Sequence, residues 1–345
     1  MALTLPYLAA EAVVASADEG SPEPRVGASP PIRPPMGVLR HVDAARTAMP
    51  SQVASPARSE VVVLVGGYAS CACPDDGAFD ALRKRLATMP GYTVVRFGDD
   101  PRFPFDSSGA IEPNAISLRD QVRVLGRDHD AVHIVTHSMG GNVADRAFAN
   151  GLSREDGVAT YISWAAPHSG SDAARAITLT RIATGAGDGA FRESLLWLRM
   201  EPDSPAVRDL ARARPIPPPP GVVRLDLREA TDVLVTARDA RDPGVASRIL
   251  TGAVEGHGGI LSDPEAIDLT LRTITTRRVP PDERSVALRR AADAESERAG
   301  STVLGVLCLL VIAACVGAVI TRLPPRRVVR GLEAFLPRAR PRPCP

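Results

Sequence analysis

The sequence predicts an α/β fold with a mostly parallel sheet of about six strands and helices on both faces. Three observations lead there. Short β-branched runs such as Val61–Val65 stop at glycine, as strands buried on both faces do. These runs alternate with stretches of helical period, the pattern of strands joined by crossover helices. Lastly, VHIVTHSMGGNVADRAF, from Val132 to Phe148, reads as an apolar strand, a tight turn with Ser138 at its tip, and a helix opened by Gly140 and Gly141.

Residues 1–58 are an N-terminal segment followed by a linker rich in Pro, Ala and Ser, which cannot bury enough surface to offset its ordering entropy. Met1 to Ala17 is mostly apolar and closes on Ala15-Ser16-Ala17 like a signal-peptidase site. It lacks a basic start, and Glu11 interrupts it, so it reads as a degenerate signal sequence.

The α/β domain is expected over 59–277. Val61–Val65 is its first strand, ending at Gly66-Gly67, followed by a helix over Phe79–Leu86 and a strand over Thr93–Phe97. Ile116, Leu118, Val122 and Leu125 mark a helix, and Ala131–Val135 the strand leading to Ser138. Tyr161–Ala165 is the next strand, Val222–Leu227 and Gly252–Glu255 are weaker ones, and Pro264 to about Thr276 is the closing helix. The alternation lapses over 171–221, an insert carrying Leu195-Leu196-Trp197-Leu198. It reads either as surface helices packed on the core or as an amphipathic lid over an acyl pocket.

After a polar linker, 278–301, residues 302–320 run nineteen positions without a charge. At about 1.5 Å per residue that spans the ~30 Å hydrocarbon core, so a transmembrane helix is expected. The tail, 321–345, holds Arg322, Arg326, Arg327, Arg330, Arg338, Arg340 and Arg342 against Glu333 alone. That bias places the tail in the cytoplasm and the large domain on the other side of a single-pass membrane protein.

The chain has 345 residues and a net charge of +1, so no global field points to nucleic acid. Lys84 is the single lysine, and the five cysteines do not form a disulfide framework. No Cys or His pair has ligand spacing on a plausible element, so neither metal nor cofactor is expected.

The turn at Ser138 is the shape a nucleophilic serine needs, with the helix N-terminus placing N–H groups beside a developing oxyanion. A serine hydroxyl also needs a base held by an acid, and in such turns the chain order is Ser, acid, His. His129 precedes the strand, His133 lies within it, and His168 precedes every plausible acid. His257, in the glycine-rich loop VEGHGGILSDPEAID, is the base this order selects. Asp232, just after the Val222–Leu227 strand, is favoured as the acid over Asp239. Met139 N–H and Tyr68 N–H are the expected oxyanion donors.

With VVVLVGGY, VHIVTHSMGGNVADRAF, ISWAAPHSGSD, REATDVLV and EGHGGILSDPE, the chain resembles the α/β-hydrolase superfamily, and within it bacterial triacylglycerol lipases and esterases. The resemblance implies a reduced α/β-hydrolase fold with Ser138 as nucleophile, Asp232 as acid and His257 as base. It places His168 where such lipases shape the entrance to the lid, while the lid reading of the insert makes Leu196 and Trp197 substrate-binding residues. The chain departs from the family pattern with Thr136 for the first glycine of the serine motif, Gly66 for a frequent histidine, and Asp232-Val233-Leu234-Val235 around the acid. The implied function is hydrolysis of a carboxylic or lipid ester at a membrane. Acyl transfer from the same acyl-enzyme, or a non-catalytic scaffold binding a partner, are the alternatives.

Overall fold

The strand Glu60–Val65 (β1) sits inside the sheet, with Val61, Val63 and Val65 in one apolar layer and Val62 and Leu64 in the other. That is why it is apolar at every position rather than at alternate ones. The helix Asp80–Leu86 (α1) and the strand Tyr92–Arg96 (β2) follow, then the helix Ile111–Asp128 (α2). Next come the fully buried strand Val132–His137 (β3), the helix Met139–Ala149 (α3) and the strand Val158–Trp164 (β4). The helices Asp172–Thr184 (α4) and Pro205–Arg212 (α5) belong to the insert. The strands Val223–Glu229 (β5) and Ala246–Leu250 (β6), then the helices Pro264–Thr276 (α6) and Val286–Arg322 (α7), complete the series.

This computed structural model describes residues 59–70, 77–184, 200–251 and 256–322, apart from 202, 218, 233, 237 and 285. All of them belong to the second of the chain's two units, Ala54–Pro345. The N-terminal segment 1–58, the candidate strand Gly252–Glu255, Leu196, Trp197 and the tail beyond 322 lie outside the described residues.

Six parallel strands pair in the order β2-β1-β3-β4-β5-β6. One apolar layer packs α2, α3, α4 and α5 on the sheet, with Leu118, Val122, Val143, Ile177 and Leu210 among its members. The other packs α1 and α6 through Leu82, Leu86, Trp164, Ile260 and Ile274. Strand order reverses between β1 and β3, the point where an open parallel sheet leaves a crevice at its carboxyl edge.

The last strand among the described residues is Ala246–Leu250, which was not expected from the sequence. Only its final two residues are buried, as befits an edge strand, so it carries no apolar alternation to read. Much of the expected polar linker is helical, since α7 starts at Val286 and runs on through 302–320 without a break. Its Ala, Arg and Glu content suits a helix without needing an apolar stripe.

Among the described residues, no helix is long and apolar enough to cross a membrane. In the distal half of α7, the side chains of Val306, Leu309, Ile312 and Val316 are exposed.

Candidate active site

The turn after β3 is held in a conformation few side chains adopt. Ser138 has φ 55° and ψ −129°, and its N–H donates to Trp164 O at 2.9 Å, tying the turn to the end of β4. Backbone in this region costs on the order of 1–3 kcal/mol and persists only where the surroundings enforce it. Here Gly140 helps: a Cβ on it would lie 2.5 Å from Val65 O and 2.6 Å from Gly66 O. The first turn of α3 therefore presses directly on the end of β1, and Met139, fully buried, opens the helix.

The loop after β1 lies against the serine. A Cβ on Gly67 would meet Ser138 Cβ at 2.8 Å and Oγ at 3.3 Å. Tyr68 follows, and its hydroxyl accepts the Glu201 N–H at 2.9 Å, joining this loop to the segment before α5. The two expected oxyanion donors thus stand on the two backbone segments that meet at Ser138.

Asp232 and His257 are brought together from separate parts of the chain. His257, in the 3₁₀ turn Gly256–Leu261, donates Nδ1–H to Asp232 Oδ2 at 2.6 Å. The Asp232 side chain is fully buried and that of His257 is 14% exposed, so one end of the imidazole reaches outward. Asp232 Oδ1 accepts the N–H groups of Leu234 and Val235, each at 2.9 Å, which fixes the carboxylate without a fourth side chain. Asp239, the other candidate acid, engages the N–H groups of Thr236 and Asp172 instead of a histidine.

One contributor lay unread within the serine motif itself. His137 donates Nε2–H to His257 O at 3.1 Å, and the two rings stand 4.7 Å apart between centroids. Burial, then the nearby His257, lower its pKa to about 3, so it stays a neutral imidazole that can make this bond. His137 thereby links the residue before Ser138 to the loop bearing His257. Its place in T-H-S-M-G was the signal available.

His168 does not border an entrance: it is 1% exposed. Its Nδ1 bonds Asp145 Oδ2 at 2.6 Å and its Nε2 lies 2.9 Å from Ser163 Oγ, which donates to Asp226 Oδ1 at 2.7 Å. Arg224 completes the cluster, 3.1 Å from Asp145 and 2.5 Å from Asp242, the latter in ionic contact without hydrogen-bond alignment. Burial opposes charge on His168, but the Asp145 and Asp226 carboxylates raise its pKa regardless. Asp145, His168 and Asp242 each place one donor atom within 4.8 Å of the others, a spacing a metal could use. The Arg224 guanidinium already supplies a positive charge to both of those carboxylates. Of the other histidines among the described residues, His129 bonds Ser59 O, and His133 engages Glu60 and Thr160 within the sheet.

A family model described as a PGAP1-like alpha/beta domain matches residues 118–188, about a fifth of the chain, spanning β3, the Ser138 turn, α3, β4 and α4. No curated protein matches. Among solved structures, the chain is similar to Aspergillus fumigatus lipase B at 18% identity and a TM-score of 0.45, over 74% of this chain and 62% of that one. It therefore spans less than two thirds of that lipase. The mature form of a Bacillus licheniformis lipase is similar at 17% identity and TM-score 0.44, covering 66% of this chain and 94% of that one. A thermophilic esterase from Thermogutta terrifontis is similar at 17% identity and TM-score 0.41, covering 64% and 90%. With its parallel sheet, its strand–serine–helix turn and its family match, the chain resembles proteins carrying a PGAP1-like alpha/beta domain.

Proposed function

We propose that the protein is a serine hydrolase of carboxylic esters, with Ser138 as nucleophile, His257 as base and Asp232 as the acid behind it. The observation that carries this reading is the 2.6 Å Asp232–His257 bond, made by a histidine whose backbone is tied to the residue before a strained serine turn. In the reaction, Ser138 Oγ attacks the ester carbonyl while His257 takes its proton, and the imidazolium that forms is stabilised by Asp232. The N–H groups of Met139 and Tyr68 meet the negative charge on the carbonyl oxygen. His257 then returns the proton to the leaving alkoxide, and water, activated by the same imidazole, releases the acid from the acyl-enzyme. A fluorophosphonate probe is expected to label the wild-type protein and not Ser138→Ala; labelling that survives the substitution refutes the assignment.

The same reading attaches the enzyme to a membrane through residues 302–320, with the catalytic domain on the side opposite the cytoplasmic tail. Its support is the charge-free sequence, the exposed apolar side chains of distal α7, and the arginines beyond them. Full-length protein is expected to float with phospholipid vesicles, and a chain ending at Ser301 to stay with the soluble fraction. Flotation that is equal for both removes this assignment and leaves the esterase reading untouched. Protease protection in intact cells or vesicles reads the orientation.

A further inference from the structure

Glu229, the last residue of β5, is buried (2% exposed), and neither of its carboxylate oxygens has a hydrogen-bond partner among the described residues. A carboxyl without partners in such a place is expensive if ionised, and mutation normally removes one that does nothing. Alternation along β5 sets Glu229 on the face of Leu225 and Leu227, which pack with Trp164, Ile260 and Ala266. β5 contacts the turn carrying His257 and the helix α6.

The charges that act on Glu229 are the carboxylates of Asp232 and Asp263 and the imidazole of His257. Asp232 follows three residues later, His257 lies on the adjoining turn, and Asp263 caps α6, its side chain accepting the N–H groups of Glu265 and Ala266. From β6, Arg248 is engaged by Pro280 O and Asp282. His137, on β3, stays neutral. Burial first, then the carboxylates of Asp232 and Asp263, push Glu229 up to about 7, against the lowering pull of His257. Its charge therefore changes within the range in which an esterase works.

We propose that Glu229 is a positioning residue for His257, a second carboxyl whose ionisation beside the Asp232–His257 pair strengthens the negative field on the imidazolium formed during catalysis. This rests on the assignment of His257 as base. With Glu229 protonated, Asp232 alone balances the imidazolium. With Glu229 ionised, two carboxylates do so in a water-poor site, where the field of a fixed charge is strong. The proton leaves Glu229 to solvent as the pH rises, and no bond to substrate is made or broken by it.

The test is the pH profile of kcat for a p-nitrophenyl ester, measured on the full chain and on Glu229→Gln and Glu229→Leu. Between pH 6 and 8 the wild-type rate is expected to gain roughly tenfold more than either variant, about one unit of log kcat beyond the limb that deprotonation of the base gives all three. At pH 5.5 all three are expected to agree within about twofold, because Glu229 is then neutral in the wild type. The same limb in Glu229→Gln as in the wild type overturns the proposal and assigns Glu229 to packing. Should Ser138→Ala hydrolyse the ester as fast as the wild type, the catalytic reading itself fails. That result is distinguishable because it does not depend on Glu229.

Discussion

Replacing Asp232 with Asn tests the acid assignment with almost no change of shape. Asp232 makes three bonds: Oδ1 accepts from Leu234 and Val235, and Oδ2 accepts from His257 Nδ1. The asparagine carbonyl can keep the two backbone bonds, which leaves its NH₂ facing His257. That group only donates, so His257 Nδ1 must accept, and the imidazole proton moves to Nε2. Nε2 is the nitrogen that has to receive the serine proton, so the base is lost together with the carboxylate that would have balanced the imidazolium. A wrong tautomer of this kind costs roughly 10³–10⁴ in kcat, about 4–5.5 kcal/mol of transition-state stabilisation. The fold should lose far less, about 1 kcal/mol, because the backbone bonds survive and a buried charge is removed. The assay is kcat/KM on p-nitrophenyl butyrate beside a thermal melt, with Asp239→Asn in parallel and expected to stay within about threefold of wild type. Asp232→Asn within tenfold of wild type, at an unchanged melting temperature, refutes the argument.

Three further outcomes follow from the same geometry. Gly67→Ala would press a methyl group on Ser138 Cβ, at 2.8 Å, and is expected to lower kcat by about 10²-fold through displaced reacting groups, read in the same ester assay. Arg224→Met removes the guanidinium shared by Asp145, Asp226 and Asp242 and should cost about 3–5 kcal/mol in urea unfolding at pH 7. For stability against pH, the folded values of Glu229 and Asp242 lie above their ordinary ones, at about 7 and about 6, burial being the first cause in each. Such groups favour the fold below their unfolded values and lose that contribution as pH rises through the folded ones. The urea midpoint should therefore fall between pH 5 and 8, and fall less in Glu229→Leu.

Much of this was legible from residue patterns because the chemistry imposes it locally. A central parallel strand must be apolar throughout, so Val61–Val65 is readable, and a serine turn needs small residues behind it, hence Gly140 and Gly141. Asp232 and His257 could be found because each follows a strand in the order such sites use. What escaped depends on contacts distant in sequence. His168 reads as a loop residue beside the site, and only Asp145 and Asp226, brought from α3 and β5, show that it is internal. Glu229 lies beyond the Leu227 end expected for its strand, and its burial becomes visible only in the folded chain. Ala246–Leu250 offers little pattern because an edge strand buries little.

The chain contains a second Ser–His–Asp set, Ser163, His168 and Asp226, and charge and access separate it from the first. Ser163 is 1% exposed and sits inside β4, where no ester can reach its hydroxyl without the sheet opening. Its Oγ already donates to Asp226, so the proton a base would remove is directed at a carboxylate. With the Ser163 proton directed at Asp226, the 2.9 Å contact needs His168 Nε2 to donate an N–H where a base must accept, and the Asp145 and Asp226 carboxylates act in the same direction by raising the His168 pKa against burial. The two sets thus predict opposite results from matched substitutions. Ser163→Ala should keep fluorophosphonate labelling and kcat within about threefold, while lowering stability by about 1–3 kcal/mol for the orphaned buried groups. Ser138→Ala should abolish both labelling and turnover at nearly unchanged stability, and the reverse pattern would move the active site to the core cluster.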